Sequence, residues 1–171
     1  GINWSYIGFS DSIQLYGIDF INQQTGFVSG QLHSSSRNKI YKTTDSGLNW
    51  QEIFSAFDTF YNIDFADNST GYVCGRGIYK TTDGGKTWAK IHNGFPSGKL
   101  GRITVAVAPS NASIVYAVLE TEKNEDKGLY RSDDAGASWK KLNGDFELVI
   151  RPFYFSRIVI DPKNPDIILK A

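Results

Sequence analysis

Four residues in the second half of the chain have types and spacing that could bind an anionic ligand. Arg102 and Arg157 each stand directly before an isoleucine, in GRITVAV and SRIVI, and Arg151 and Tyr154 lie just upstream in RPFYFSR. Arginine suits a carboxylate because its planar fork contacts both oxygens. We therefore predict a ligand-binding site formed by Arg102, Arg151, Tyr154 and Arg157. The alternative is that these arginines pair with nearby acids or bind loop carbonyls.

The predicted site rests on an alignment of four similar strands by their isoleucine. In that alignment the position before the isoleucine is held by Gly17, Asn62, Arg102 and Arg157. If these strands line a central channel, Arg102 and Arg157 project near its mouth.

Two aspartates also hold matching positions, Asp19 in LYGIDF and Asp64 in FYNIDF. Glycoside hydrolysis uses two carboxyl groups about 5–10 Å apart, so such a pair could serve it. The residues that alternate with these aspartates are apolar, which favours a place between packed strands or at a turn. His33 and His92 have no companion at the spacing of metal ligands. We predict no catalytic residue, no metal site and no cofactor.

Composition excludes several classes of partner. Eighteen basic and eighteen acidic residues balance to a formal net charge of zero, which argues against a nucleic-acid partner. The sequence has no apolar stretch of about 18 residues, so we predict no membrane span. Cys74 is the one cysteine, which rules out a disulfide within the chain and is typical of a small buried residue on a strand.

A ten-residue phrase occurs three times, as YKTTDSGLNW, YKTTDGGKTW and YRSDDAGASW. Its aspartate can accept backbone N–H groups inside a turn, and its glycine can adopt a positive φ. Its tryptophan can pack across the turn as a small core of its own. Asn49 stands where the other copies have Ser or Thr, so one side-chain hydrogen bond is not assured there. We predict structural roles for Asp45, Gly47, Trp50, Asp83, Gly85, Trp88, Asp134, Gly136 and Trp139.

Other segments repeat with the phrase and predict an all-β fold. Each unit contains four short strands, in the order IDF-like, GYV-like, IYKTT-like and TWAKI-like, which predicts a β-propeller of four-stranded antiparallel blades. About three and a half blades are expected, as one partial propeller over 1–171 that is completed by further residues or by another chain. The predicted parts are an orphan outer strand at 2–9, blades at 15–54, 60–93 and 101–143, and the start of a further blade at 155–171.

The phrase resembles the Asp-box, or bacterial neuraminidase repeat, seen here as TTDSGLNW, TTDGGKTW and SDDAGASW. Residues 98–171 resemble secreted bacterial proteins described as sialidase-like, sortilin-type or glycosyl-hydrolase-like. Residues 15–95, with TGYVCGRGIYKTTDGGKTW, resemble propellers of the photosystem II assembly and stability factor type. The resemblance implies that the boxes lie on the outer rim, away from any ligand. It also implies a bacterial, exported protein, periplasmic or extracellular.

Three functions follow from these observations. The first is a non-catalytic propeller scaffold that binds a protein or a glycan, because the aromatic and arginine-rich loop IRPFYFSR is present and no complete catalytic set is found. The second is part of a glycoside hydrolase or sialidase-like enzyme. The third is an assembly chaperone of the photosystem II stability factor type.

Overall fold

A computed structural model of the chain describes residues 12–33, 36–144 and 158–170, and these residues form the predicted all-β fold. They contain fourteen strands, one short 3-10 turn at Asn124–Asp126 and no α-helix. No helix among the described residues has the length and apolar character to cross a membrane.

The strands form three four-stranded antiparallel sheets and one two-stranded sheet, each in chain order. Blade 1 contains β1 (Ile13–Phe20), β2 (Gly26–Leu32), β3 (Asn38–Thr43) and β4 (Gln51–Ala56). Blade 2 contains β5 (Phe60–Phe65), β6 (Gly71–Gly75), β7 (Ile78–Thr81) and β8 (Ala89–Ile91). Blade 3 contains β9 (Leu100–Val107), β10 (Val115–Thr121), β11 (Gly128–Ser132) and β12 (Lys140–Asn143). Blade 4 contains β13 (Ile158–Ile160) and β14 (Ile168–Lys170).

Asparagine and aspartate side chains fix the turns between the first and second strands. Asn22 accepts the backbone N–H groups of Gln24 and Thr25 at 2.9 and 2.8 Å. Asp67 does the same in blade 2, and Asp161 in blade 4. These are Asx-type turns, which replace backbone hydrogen bonds where the chain reverses direction.

The core lies between blades rather than within them. The first strands β1, β5, β9 and β13 pack side by side in chain order and are the innermost strands. Between blades 1 and 2, the rings of Phe27 and Phe65 stack with centroids 3.7 Å apart. Further apolar clusters fill the seam between blades 2 and 3 and the seam between blades 3 and 4. Each blade therefore depends on its neighbour to bury its apolar face.

The predicted outer strand at 2–9 lies outside the described residues. So do residues 155–157, at the predicted start of the last blade.

Candidate binding site on the innermost strands

The three Asp-boxes share one hydrogen-bond pattern. In blade 2, Thr81 Oγ1 accepts the N–H of Gly85 at 2.9 Å and donates to Asp83 Oδ1 at 2.9 Å. Asp83 also accepts the backbone N–H and the hydroxyl of Thr87. Blade 3 repeats these bonds with Ser132, Asp134 and Ser138. The box aspartates therefore hold their own turns.

In blade 1 the side chain of Asn49 takes the place of the hydroxyl. Its amide nitrogen donates to Asp45 Oδ2 at 2.7 Å, and its backbone N–H donates to Asp45 Oδ1 at 2.9 Å. The bond that the sequence left unassured is thus present. Gly47, Gly85 and Gly136 have φ between 85° and 89°, the left-handed region that favours glycine.

Hydrogen bonds lower the pKa of the box aspartates. Side-chain and backbone bonds from Thr87 lower the pKa of Asp83 to about 2, and bonds from Ser138 and Ser132 lower the pKa of Asp134 to about 2. The bonds from Asn49 lower the pKa of Asp45 in the same way. These carboxylates stay ionised near neutral pH, so they do not suit the role of a general acid.

The box tryptophans pack in the seams between blades as well as across their own turns. Trp88 lies 6.0 Å from the ring of Phe54 in blade 1 and 6.0 Å from Phe65 in its own blade. Trp139 lies 4.9 Å from Phe95, in the segment that joins blades 2 and 3. The expectation of a private core for each turn is therefore wrong at Trp88 and Trp139, because the neighbouring blade supplies part of their packing.

The boxes and the starts of the innermost strands lie at opposite ends of the blades. A backbone bond joins each box turn to the turn between the first and second strands of its blade, for example Gly84 N–H to Ser69 O at 2.8 Å. Those turns follow the ends of the innermost strands. The starts of β1, β5 and β9 therefore form a separate edge.

A row of side chains crosses the starts of the innermost strands. Tyr16 in β1 and Tyr61 in β5 make an edge-to-face contact with ring centroids 5.6 Å apart. The guanidinium of Arg102 in β9 lies 4.6 Å from the centroid of Tyr61. All three side chains are partly buried. Aromatic faces and a planar cation next to each other suit the recognition of a polypeptide or another planar polar group.

Irregular strand pairing places the two tyrosines in this row. The register between β1 and β2 shifts between Leu15 and Gly17, which leaves Tyr16 as an extra residue. Tyr61 is the extra residue at the corresponding shift in blade 2. Such bulges turn a side chain away from the regular alternation of the strand. Neither tyrosine was predicted as a site residue from the sequence, although a tyrosine is the second residue of both LYGIDF and FYNIDF.

The register corrects the predicted alignment of Arg102. In each blade, one residue of the second strand pairs both with the first residue of the Asp-box and with the last residue of the innermost strand. Those last residues are Phe20, Phe65 and Val107, which are therefore equivalent. Asn62 lies three residues before Phe65, so its equivalent is Thr104, three residues before Val107, and not Arg102. The error arose because the turn at 108–114 is two residues longer than the turn at 21–25.

The turn at 161–167 has the length of the turn at 108–114, so Ile158 is equivalent to Val105. Arg151, Tyr154 and Arg157 lie outside the described residues, so their part of the predicted site stays a prediction.

Asp19 and Asp64 link neighbouring innermost strands. Asp19 Oδ2 accepts the N–H of Phe65 at 2.7 Å, and Asp64 Oδ2 accepts the N–H of Val107 at 2.9 Å. Burial raises the pKa of Asp19. Burial, with a smaller contribution from the charge of Asp19, raises the pKa of Asp64 to about 7. Both carboxyl groups face the seam to the next blade.

Neither a metal site nor a reactive thiol is found in the described ranges. No cluster of three or more His, Cys, Asp or Glu residues there could hold a metal ion. Cys74 is fully buried and donates to the carbonyl of Ile103 at 3.1 Å, and burial raises the pKa of its thiol.

A protein-family model matches most of the chain. The family model described as photosynthesis system II assembly factor YCF48 matches residues 2–146. The chain belongs to the YCF48 family. The match extends the predicted resemblance of residues 15–95 to most of the chain, whereas the likeness of residues 98–171 to sialidases and sortilins stays a prediction. No curated protein matches the chain.

Two solved YCF48 structures share the fold. YCF48 from Cyanidioschyzon merolae is 23% identical over 80% of this chain, with a TM-score of 0.57. YCF48 bound to D1 peptide is 22% identical over 79% of this chain, with a TM-score of 0.59. The chain spans 39% and 42% of those two solved chains.

Glycoside hydrolases of the GH74 type also share the fold. The GH74 xyloglucanase from Xanthomonas campestris is 16% identical over 94% of this chain, with a TM-score of 0.72, and this chain covers 29% of it. The GH74 enzyme from Niastella koreensis is 20% identical over 85% of this chain, with a TM-score of 0.58, and this chain covers 24% of it. At these identities the likeness shows a propeller of the same type and carries no activity.

Proposed function

We propose that the chain is a non-catalytic part of a YCF48-type propeller that binds a segment of a protein partner. The observation that carries the proposal is the row of Tyr16, Tyr61 and Arg102 across the starts of the innermost strands. The solved YCF48 bound to D1 peptide supports a peptide as the class of ligand. A D1 peptide is therefore the first probe.

The row offers two kinds of contact to a peptide. Tyr61 and Tyr16 present aromatic surface, which contributes much contact area at a small loss of side-chain entropy. Arg102 presents a planar fork, which suits a carboxylate or a backbone carbonyl. Rigid aromatic and arginine side chains of this kind carry most of the binding free energy in many interfaces.

The test is a titration of the chain with a labelled D1 peptide, followed by fluorescence anisotropy. We expect Tyr61→Ala and Arg102→Ala each to weaken binding by about 10- to 100-fold, the range typical of hot-spot residues. Arg102→Lys keeps the charge but loses the fork, so we expect an intermediate effect. The matched control is Lys86→Ala, an exposed residue in the Asp-box of blade 2.

Two outcomes would contradict the proposal. Equal weakening by Lys86→Ala would mean that general charge, not the row, governs binding. Unchanged affinity in Tyr61→Ala and Arg102→Ala would place the peptide elsewhere. Circular dichroism of each variant confirms that the fold is retained.

A second candidate function, glycoside hydrolysis, is favoured by one observation. Asp64 keeps its proton up to a pH of about 7, as a general acid must, and Asp19 lies on the adjacent innermost strand. We rank this function second because both carboxyl groups accept backbone N–H bonds in seams between blades. Hydrolysis of xyloglucan by the chain, with loss of activity in Asp64→Asn, would reverse this ranking.

A further inference from the structure

An exposed phenylalanine lies at the same end of the blades as the row of Tyr16, Tyr61 and Arg102. Phe57 directly follows β4, whose last residue pairs with the first residue of β3. Since β3 runs from this end into the Asp-box, Phe57 stands at the end opposite the box. Its side chain is 76% exposed.

The next connection between blades uses its phenylalanine differently. Phe95, which joins blades 2 and 3, packs against Trp139 of blade 3 with ring centroids 4.9 Å apart. Between blades 1 and 2 it is Phe54, within β4, that reaches Trp88 of the next blade, at 6.0 Å. Phe57 therefore presents a large apolar ring to the surface at a place where Phe54 already fills the seam.

An arginine stacks on the exposed ring. The guanidinium carbon of Arg37 lies 4.3 Å from the ring centroid of Phe57, and Arg37 Nη1 donates to Ser55 Oγ at 3.4 Å. Arg37 stands directly before β3, so it lies at the same end of the blade. Phe57 and Arg37 thus repeat the combination of ring and guanidinium found in Tyr61 and Arg102, where the distance is 4.6 Å.

Hydrogen bonds hold the connection between these two pairs in place. Asp58 Oδ2 accepts the hydroxyl of Tyr79 at 3.0 Å and Nζ of Lys90 at 3.1 Å. The side chain of Asn38, which is buried, accepts the N–H of Phe60 at 3.2 Å. The backbone on both sides of the connection is therefore fixed, and the position of the ring that follows β4 is fixed with it.

The spacing of the two pairs fits an extended peptide. Four positions separate Phe57 from Tyr61, so their Cα atoms lie at most about 14 Å apart. An extended chain rises about 3.3 Å per residue and places every second side chain on one face. We propose that Phe57 and Arg37 form a second subsite, which takes an apolar side chain of the bound segment about four residues from the side chain held at Tyr61. This inference rests on the proposed function.

The exposed ring decides the chemistry of the subsite. The surface that Phe57 offers is that of a phenyl ring, and covering it with an apolar side chain removes apolar area from water. Stacking by Arg37 on the ring restricts its motion before the peptide arrives. A ring held in this way adds contact area at a small loss of side-chain entropy.

The test is the titration of the chain with the labelled D1 peptide, applied to new variants. We expect Phe57→Ala to weaken binding by about 10-fold, and Phe57→Leu, which keeps much of the apolar surface, to weaken it less. The matched control is Leu48→Ala, because Leu48 is 71% exposed but lies in the Asp-box of blade 1, at the other end. We expect this control to bind as the unaltered chain does. Both residues are exposed, so we expect every variant to keep its denaturation midpoint.

An alanine scan of the D1 peptide locates the contact. Each peptide is titrated against the unaltered chain, Phe57→Ala and Tyr61→Ala. We expect one peptide position to matter in the unaltered chain but not in Phe57→Ala, which is the sign of a direct contact. We expect that position to lie about three to five residues from the position coupled in the same way to Tyr61.

The outcomes separate this inference from the proposed function. Weaker binding in Tyr61→Ala beside unchanged affinity in Phe57→Ala would overturn the second subsite and leave the proposed function in place. Equal weakening in Leu48→Ala, or coupled peptide positions that are adjacent or absent, would also overturn it. Weaker binding in Phe57→Ala alone would overturn the claim that the two pairs serve one segment. A D1 peptide that does not bind the unaltered chain would contradict the proposed function and this inference together.

Discussion

At the scale of single residues, Asp64 is a carboxyl group whose pKa is raised by its burial between two blades. It sits between blades 2 and 3, and the groups that face it or lie on the strands packed against it are Tyr16, Asp19, Tyr61, Tyr72, Cys74 and Arg102. Burial raises its pKa in the folded chain to about 7, whereas an unfolded aspartate titrates near pH 4. Between these values the folded state holds a proton that the unfolded state has released. The contribution of Asp64 to stability is therefore largest at or below about pH 4 and is lost as the pH rises to about 7.

The first prediction concerns this pH dependence. We expect the free energy of unfolding to fall by on the order of 2 kcal/mol from pH 5 to pH 8 because of Asp64, and Asp64→Asn to remove most of that fall. The pKa values of Asp83 and Asp134 are lowered to about 2, so these two groups change the free energy of unfolding only below about pH 4, outside this pH range. Urea denaturation at each pH measures the effect, and an equal slope in Asp64→Asn would contradict it.

The second prediction concerns the box hydroxyl. Thr81 is buried, and its Oγ1 accepts the N–H of Gly85. Thr81→Val keeps the shape but leaves that N–H without its acceptor, so we expect a loss of about 1–3 kcal/mol in the free energy of unfolding. The matched control Thr82→Val changes an exposed neighbour and should cost less than about 0.5 kcal/mol. Equal losses in the two variants would show that the hydroxyl does not hold the turn.

At the scale of elements, the sequence was informative wherever a turn motif repeats. The Asp-boxes and the strands around them were predictable because Asp, Gly and Trp each meet a local need of the hairpin. The position of Arg102 was not, because an isoleucine in a strand of unknown register has no fixed partner, and a longer turn at 108–114 moves the register by two residues. Tyr16 and Tyr61 were missed because a bulge depends on the pairing of two strands, which neither strand shows alone. The packing of Trp88 against Phe54 depends on how blades stack, which a repeat within one blade does not encode.

The third prediction concerns the strained turn of blade 3. Ala135 has φ 54°, while Gly84 occupies the same position in blade 2 with φ 72°. A residue with a Cβ loses about 1–2 kcal/mol of stability in the left-handed region, and glycine avoids this cost. Glycine is also freer in the unfolded state, which cancels part of that advantage. We therefore expect Ala135→Gly to stabilise the chain by up to about 1 kcal/mol. Ala137→Gly, in the same turn but without a positive φ, should be neutral or destabilising. A loss of stability in Ala135→Gly would contradict the strain argument.

At the scale of the whole molecule, the two ends of the blades differ in what their side chains contact. The side chains of the Asp-boxes at one end hold their own turns and pack in the seams between blades. Lys80 Nζ, for example, donates to the carbonyl of Ala135 in the next blade at 2.6 Å. The starts of the innermost strands at the other end bring Tyr16, Tyr61 and Arg102 together from three blades. A row of this kind exists only when the blades are stacked, so the proposed binding there would depend on the assembled fold.

Amide hydrogen exchange of the chain with and without saturating D1 peptide tests the proposed site directly. We expect added protection at 14–17, 60–63 and 100–103, and none in the Asp-boxes at 43–50 and 81–88. Protection confined to the boxes, or the absence of any change at saturation, would contradict the claim that the innermost strands carry the binding site.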